Sequence, residues 1–184
     1  PERGQLLITL TRLPLDVQAI HKIHESSNFD HADLEGANLA GLNLERVGLF
    51  HANLKNARLW GTKFEKSVLV GTKLRWADFD RAQLVNAELF HADLRESRLT
   101  NANLKEAHLF LADLSGADLS GANLTNANLG EVNLQGTTIC LQEIQNVETL
   151  FKCNNLHDSL SIPLHKTHPH LFEPPEWLKA VKKE

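Results

Sequence analysis

The histidines near the C-terminus come closest in residue type and spacing to a metal site. His165, His168 and His170 are separated by three and two residues, and His157 lies upstream. Imidazole nitrogens bind zinc and other transition metals, but this spacing matches no strong zinc template, and Pro169 interrupts it. We therefore predict no metal site and no cofactor.

Paired carboxylates would be a second source of chemistry, through general acid and base catalysis. Asp33, Asp93, Asp113 and Asp118 recur at separations that are multiples of five residues. Such a recurrence spreads carboxylates over a convex surface, where they do not converge in a pocket. The sequence also contains no Walker loop, dinucleotide fingerprint or nucleophile elbow. We therefore predict that the protein is not an enzyme and has no small-molecule substrate.

A strict period of five residues determines the elements that position these side chains. From Phe29 to Ile139 every fifth residue is Leu, Phe or Ile, and the residue two positions earlier is usually small, as at Ala32 and Ala52. A helix repeats its apolar face every three to four residues and a strand every two, so this period fits neither. The period predicts short extended pieces joined by tight corners, wound into a solenoid with a Leu core.

Units such as Ala52-Asn53-Leu54-Lys55-Asn56 and Ala112-Asp113-Leu114-Ser115-Gly116 closely resemble the pentapeptide repeat family. The resemblance implies an all-β solenoid, a right-handed quadrilateral β-helix of about six coils with about twenty residues in each coil. At about 4.8 Å per stacked strand the rod would be about 28 Å long. We predict an N-terminal segment with a capping helix in residues 1–26, the β-helix in residues 27–140, and a C-terminal helix with a Pro- and His-rich tail in residues 141–184.

Short helices are predicted at both ends of the rod, because an open coil edge would pair with other chains. Apolar residues recur at helical spacing within residues 13–23, after Pro14, and again within residues 141–152. These two helices are predicted to cap the first and last coils.

The segment from Cys153 onward contains several prolines and is predicted to be mostly irregular, with a final short helix over residues 175–182. A helix over residues 141–152 would separate Cys140 from Cys153 by about 18 Å, which is too far for a disulfide. Both cysteines are therefore predicted to be free thiols.

Residues twenty apart should stack on one side of the solenoid, so each outward column is read directly from the sequence. One column is apolar over four successive coils, and we call it the Phe ladder: Phe50, Val70, Phe90 and Phe110. The adjacent column contains His51 and His91, which we interpret as solvated corner residues. A contiguous apolar ladder indicates one of two arrangements. Either the Pro-rich tail covers it, or it binds a protein partner or a second copy of the chain.

A column of cations lies around the next corner from the Phe ladder. It contains Lys55, Arg75 and Arg95, with Trp76 beside it and Trp60 on the following face. Arg and aromatic residues are frequent anchors of protein interfaces, so these side chains would suit an acidic, partly apolar partner. The alternative is a solvated column of charge.

These observations favour a non-catalytic protein-interaction or scaffold module, acting on a protein partner or by self-association. The resemblance offers an alternative, because some family members mimic B-DNA in the DNA site of type II topoisomerases and protect against quinolones. Mimicry requires a strongly negative surface, and a formal net charge of −4 disfavours it. The same near balance disfavours direct nucleic-acid binding.

No run of eighteen apolar residues occurs, so no membrane span is expected within this chain. The expected compartment is the cytoplasm, because the two cysteines are predicted to be reduced. The sequence contains no Met, so we expect further sequence upstream of Pro1.

Overall fold

The computed structural model describes Gln5, Thr9 and residues 29–144, 146–153, 155, 156 and 158–174. Within the repeats, each pentapeptide forms one short extended piece and one corner. At the first corner the Ala32 amide donates to the Phe29 carbonyl oxygen at 3.0 Å, closing a turn through Asp30 and His31. His31 has a φ of 57°, and the second residue of every later corner as far as Gly136 also has positive φ. Gly and Asn recur there because they adopt this left-handed conformation at low cost.

Successive corners return the chain to the same side, so that residues twenty apart pair in parallel. The pairs that begin the stack are Asp33 with Asn53, Asn38 with Arg58, Asn43 with Lys63, and Gly48 with Val68. We name the four faces A, B, C and D in that order, and name each corner by the two faces it joins. The bridged residues are isolated, with one on each side of each coil. The predicted four-sided coil of twenty residues is therefore confirmed, and it keeps this register as far as the pair of Asp118 with Thr138.

The residues at every fifth position fill the interior. Those from Phe29 to Leu134 are buried, and Phe64 and Phe79 are fully buried with ring centroids 6.2 Å apart. Four polar residues at the small positions are also buried, namely Thr62, Ser67, Thr72 and Ser97. Thr62 donates to the Leu39 carbonyl oxygen at 2.8 Å. The inward orientation predicted from the period is confirmed, and the buried hydroxyl groups have the partners that burial demands.

The helix predicted over residues 141–152 is wrong beyond its first turn. Helix α1 spans only Leu141–Ile144, and the chain then returns to the coil. Thr149 bridges Asn128, and the Leu129 amide donates to the Thr149 carbonyl oxygen at 3.1 Å. The last coil offers unpaired backbone groups, and pairing with them outweighs the local helical pattern of the side chains.

The tail is also more ordered than predicted. Helix α2 spans Asp158–Thr167 and includes Pro163, and a 3₁₀-helix follows at Pro169–Phe172. Leu160, Leu164 and Leu171 are buried in the same core as the coils. The Leu150 amide donates to the Leu171 carbonyl oxygen at 2.6 Å, so this segment lies against residues 146–153, and we expect it to cap the C-terminal end of the stack. A helix tolerates one proline when the apolar contacts it makes exceed the cost of a lost hydrogen bond.

The helices predicted over residues 13–23 and 175–182 lie outside the described residues.

Both cysteines are free, as predicted. Burial raises the pKa of the Cys153 thiol to about 12, and this thiol donates to the Val132 carbonyl oxygen at 3.4 Å. None of the helices in the described residues is long and apolar enough to cross a membrane.

Candidate interaction surfaces

The Phe ladder runs along the corner between faces D and A. Each member directly follows a buried Leu, so it is the first residue of a corner and its side chain points outward. Phe50 is 38% exposed, whereas Val70, Phe90 and Phe110 are half-buried. Because parallel strands stack at about 4.8 Å, the ladder offers apolar groups at a fixed and closely spaced repeat.

The rings of Phe90 and Phe110 lean along the rod onto the next coil. Phe90 stacks on His108 with a centroid separation of 5.7 Å and an interplanar angle of 9°. Phe110 lies over Gly130, where an added Cβ would be 3.0 Å from the ring. Neighbouring coils thereby hold the aromatic rings in place, which lowers the entropy lost when a partner binds.

The corner histidines pack against the ladder and against each other. His31 and His51 stack with centroids 5.6 Å apart, and His51 meets the Phe50 ring edge-on at 4.2 Å. The His51 ring also fills the space above Gly71. His91 is exposed at the equivalent corner position two coils beyond. His51 therefore extends the apolar surface sideways and is more than a solvated corner residue.

The tail histidines do not converge. The His165 ring stacks on Phe172 at 3.6 Å, and His168 Nδ1 lies 2.8 Å from the Thr167 hydroxyl. Among the residues that the structure describes, no group of His, Cys, Asp and Glu is arranged to hold a metal ion. His157 lies outside the described residues.

The predicted column of stacked cations is largely neutralised by the protein itself. Arg95 donates to both carboxylate oxygens of Asp93 at 2.7 Å. Arg75 pairs with Glu96 at 2.5 Å, and its guanidinium lies 4.0 Å from the centre of the Trp76 ring. Arg75 and Arg95 are therefore held in ion pairs, and only Lys55 of the three cations forms none among the described residues.

Glu96 is the residue of this cluster that the sequence reasoning missed. It accepts from Arg75 and, at 3.0 Å, from the Trp76 indole nitrogen, and these two bonds lower the pKa of its carboxyl group. Glu96 follows Trp76 by twenty residues, so reading that column would have found the contact. Arg75 and Glu96 hold Trp76 in one orientation on the surface, where it is 47% exposed.

The Asp93–Arg95 pair predicts a pH dependence of stability. Hydrogen bonds from Arg95 lower the pKa of Asp93, so the pair stabilises the fold above the ordinary Asp pKa of about 4 and stops doing so as the pH falls through the lowered value. The Asp93→Asn variant should be less stable than the parent at pH 7 by about 1 kcal/mol or less, because both groups are partly exposed. Urea denaturation at pH 7 and pH 2.5 measures the difference. A difference that grows at pH 2.5 would contradict the assignment.

The repeats of this chain match a known protein family. A family model for pentapeptide repeats matches in eight copies, over residues 27–65, 49–84, 82–109 and 106–139. No curated protein sequence matches the chain.

Many solved structures are similar to this chain, among them HetL, Rfr23 and QnrB1. HetL from the cyanobacterium Nostoc sp. strain PCC 7120, a protein involved in heterocyst differentiation regulation, is 28% identical with a TM-score of 0.54. The match covers 67% of this chain and only 57% of the HetL chain. Rfr23 from the cyanobacterium Cyanothece 51142 is 25% identical over 72% of this chain and 98% of its own, with a TM-score of 0.35. QnrB1, a plasmid-mediated fluoroquinolone resistance protein, is 19% identical over 76% of this chain and 84% of its own, with a TM-score of 0.31.

Proposed function

Because this chain belongs to the pentapeptide repeat family, whose members form right-handed quadrilateral β-helices, we propose that it is a non-catalytic protein-interaction module that binds its partner through the Phe ladder. The observation that carries the proposal is the outward apolar ladder itself, held at constant spacing by a stack of identical coils. Contiguous apolar surface of this kind is a feature of interaction sites, whereas singly exposed apolar residues are not.

The chemistry of the described surface supports binding rather than catalysis. Its carboxylates are distributed over separate faces, and several are engaged by neighbouring side chains, as at Asp93 and Asp78. Two cavities of about 290 Å³ lie near the C-terminal end. The more polar one contains Glu143, whose carboxylate already accepts from the backbone amides of Gly121 and Cys140. A carboxylate that caps backbone amides in this way is poorly placed to abstract a proton from a substrate.

Within the described residues, the tail is not seen to cover the Phe ladder. Leu160, Leu164 and Leu171 are buried at the C-terminal end of the stack, and Phe172 stacks on His165. Phe50, near the opposite end, keeps 38% of its surface exposed. The first three ladder positions, Phe50, Val70 and Phe90, are therefore the centre of the proposed contact.

DNA mimicry receives less support from the arrangement of charge. Residues 49–68 contain four cations and one carboxylate, so one coil near the start of the rod is positive. A surface that imitates a DNA backbone must be negative along its length. We therefore favour a partner protein that binds this chain through a surface other than a DNA-binding site.

Site-specific cross-linking tests the proposal. A benzophenone amino acid in place of Val70 should cross-link to a protein in the native cell, and the same group in place of Val85, an outward half-buried residue of the same coil, should not. Adding Phe50→Ser and Phe90→Ser should lower the yield from position 70 by about tenfold, because a few buried aromatic anchors carry most binding energy.

The double variant should keep its melting temperature within about 5 °C of the parent, since these side chains lie outside the core. Light scattering then separates self-association, seen as a parent dimer, from binding to a different protein. Equal cross-linking from positions 70 and 85, or none from either, would contradict the proposed surface.

A further inference from the structure

The cations of the described coils fall into two groups. Most of those from Arg75 onward form ion pairs with the protein's own carboxylates, as in Arg75–Glu96, Arg98–Asp78 and Lys105–Glu106. In the coil formed by residues 49–68, by contrast, the structure shows no ion pair among the residues it describes for the four cations Lys55, Arg58, Lys63 and Lys66. Burial raises the pKa of the Glu65 carboxyl group, and nearby Lys63 offsets part of that rise. Lys73, in the next coil, also forms no ion pair among these residues, so the uncompensated positive charge of the described coils lies within residues 49–73.

Arg58 forms no ion pair among the described residues, and the carboxylate of the residue bridged to it is bound by a cation of another coil. Asp78 is the bridged residue between Arg58 and Arg98 on face B. Arg98 approaches Asp78 from the far side and donates to both of its carboxylate oxygens at 3.0 Å. Arg58 is left exposed at the middle of face B. Its guanidinium group can therefore donate two hydrogen bonds to the two oxygens of an external carboxylate.

Two exposed tryptophans border the same face. Trp60 begins the corner between faces B and C and is 54% exposed, and Trp76 ends the corner between faces A and B and is 47% exposed. We call Lys55, Arg58, Trp60 and Trp76 the face B patch. Trp and Arg are the residue types most enriched among the side chains that dominate binding energy. Face B is a flat run of parallel bridges, so a partner can lie across it.

The distribution of charge along the rod limits what this patch accepts. Residues 29–48 contain four carboxylates and one cation, and residues 109–128 contain two carboxylates and no cation. A long polyanion lying along the rod would meet a net negative coil directly before the positive coil and another one at residues 109–128. A short acidic segment that crosses face B meets only Arg58, Lys55 and the tryptophans.

We propose that the face B patch binds a short acidic segment of a protein, with carboxylates at Arg58 and Lys55 and an apolar side chain against Trp60 or Trp76. This surface is separate from the Phe ladder, because the Trp60 corner is diagonally opposite the corner that carries Phe50. The protein thus has a second binding surface of different chemistry. The ladder takes apolar groups, whereas the patch requires negative charge.

A labelled peptide of four Glu-Asp-Phe repeats is the probe, with fluorescence anisotropy as the measurement. Arg58→Glu and, separately, Trp60→Ser should each weaken peptide binding by about tenfold. The matched control is Lys66→Glu, which makes the same charge change in the same coil at the corner between faces C and D. It should change affinity by less than about threefold. Glu already occupies the equivalent left-handed corner position at Glu106, so this control is expected to fold.

The remaining outcomes are each decisive. Phe50→Ser should leave peptide binding unchanged, so that a failure of the patch is distinguished from a failure of the ladder. Equal losses in Arg58→Glu and Lys66→Glu would show unspecific attraction and overturn the proposal, as would no peptide binding by the parent. Tighter binding of a labelled twelve-nucleotide oligothymidine, lost in the same variants, would assign the patch to single-stranded nucleic acid and overturn the protein partner.

Discussion

Replacing Leu94 with Asp is expected to unfold the stack of coils. Leu94 is 1% exposed, and the Ser97 hydroxyl donates to its carbonyl oxygen at 2.6 Å, so side chain and backbone are both enclosed. The variant loses about 2 to 3 kcal/mol of apolar burial and places a carboxylate where no cation can reach it, which costs several kcal/mol more. Since domains of this size are stable by about 5 to 15 kcal/mol, this is a large share of the total.

Urea denaturation followed by circular dichroism measures the loss. The matched control is Gln135→Asp, which adds the same carboxylate at an exposed corner and should shift the free energy of unfolding by less than about 0.5 kcal/mol. Leu94→Ala should lie between the two, at about 2 to 5 kcal/mol, because it leaves a cavity without a charge. A Leu94→Asp protein that keeps the parent's transition midpoint would refute the inward orientation of this position.

Replacing Leu164 with Asp is expected to detach the cap at the C-terminal end. Leu164 is fully buried, although it lies on helix α2 outside the repeats. The change removes an anchor of α2 and exposes the last paired segment, in which the Leu150 amide donates to the Leu171 carbonyl oxygen. The expected loss is about 3 kcal/mol or more, and the uncovered edge should promote association between molecules.

Hydrogen exchange distinguishes this local effect from global unfolding. In Leu164→Asp, the amides of Leu129 and Leu150 should lose protection before that of Leu74, which is in the middle of the stack. Lys166→Asp is the control, because it introduces a carboxylate at an exposed position of the same helix. Parent-like protection of Leu150 in the Leu164→Asp protein would show that α2 is not the cap.

Much of the fold followed from the period of five residues. It separated buried from outward positions, and reading it at twenty residues predicted which side chains share a column, as the pairing of Asp33 with Asn53 confirms. Such a repeat is readable because each unit meets an almost identical environment, so the local pattern and the tertiary packing agree.

The candidate surfaces were predicted less completely. The position of the Phe ladder followed from the period, but the ion pairs of Arg75 and Arg95 depended on which carboxylate each guanidinium could reach. Arg95 takes Asp93 in its own coil, whereas Arg75 takes Glu96 in the next coil. A choice between neighbours at similar distance depends on side-chain rotamers and exposure, which the spacing of residues does not specify.

The sequence by itself therefore determined the coil, its core and the composition of each outward column, because all three repeat with the same short period. The tertiary structure decided how the chain folds at the C-terminal end of the stack and which cations remain outside ion pairs. Residues 146–153 left the helical pattern to satisfy the backbone of the last coil, and α2 formed around Pro163 to bury Leu160 and Leu164. Arg58 forms no ion pair among the described residues, while Asp78, the residue bridged to it, is bound by Arg98. Each of these results depends on competition between groups for a hydrogen-bonding, apolar or charged partner that is distant in sequence. Local sequence alone therefore does not decide them.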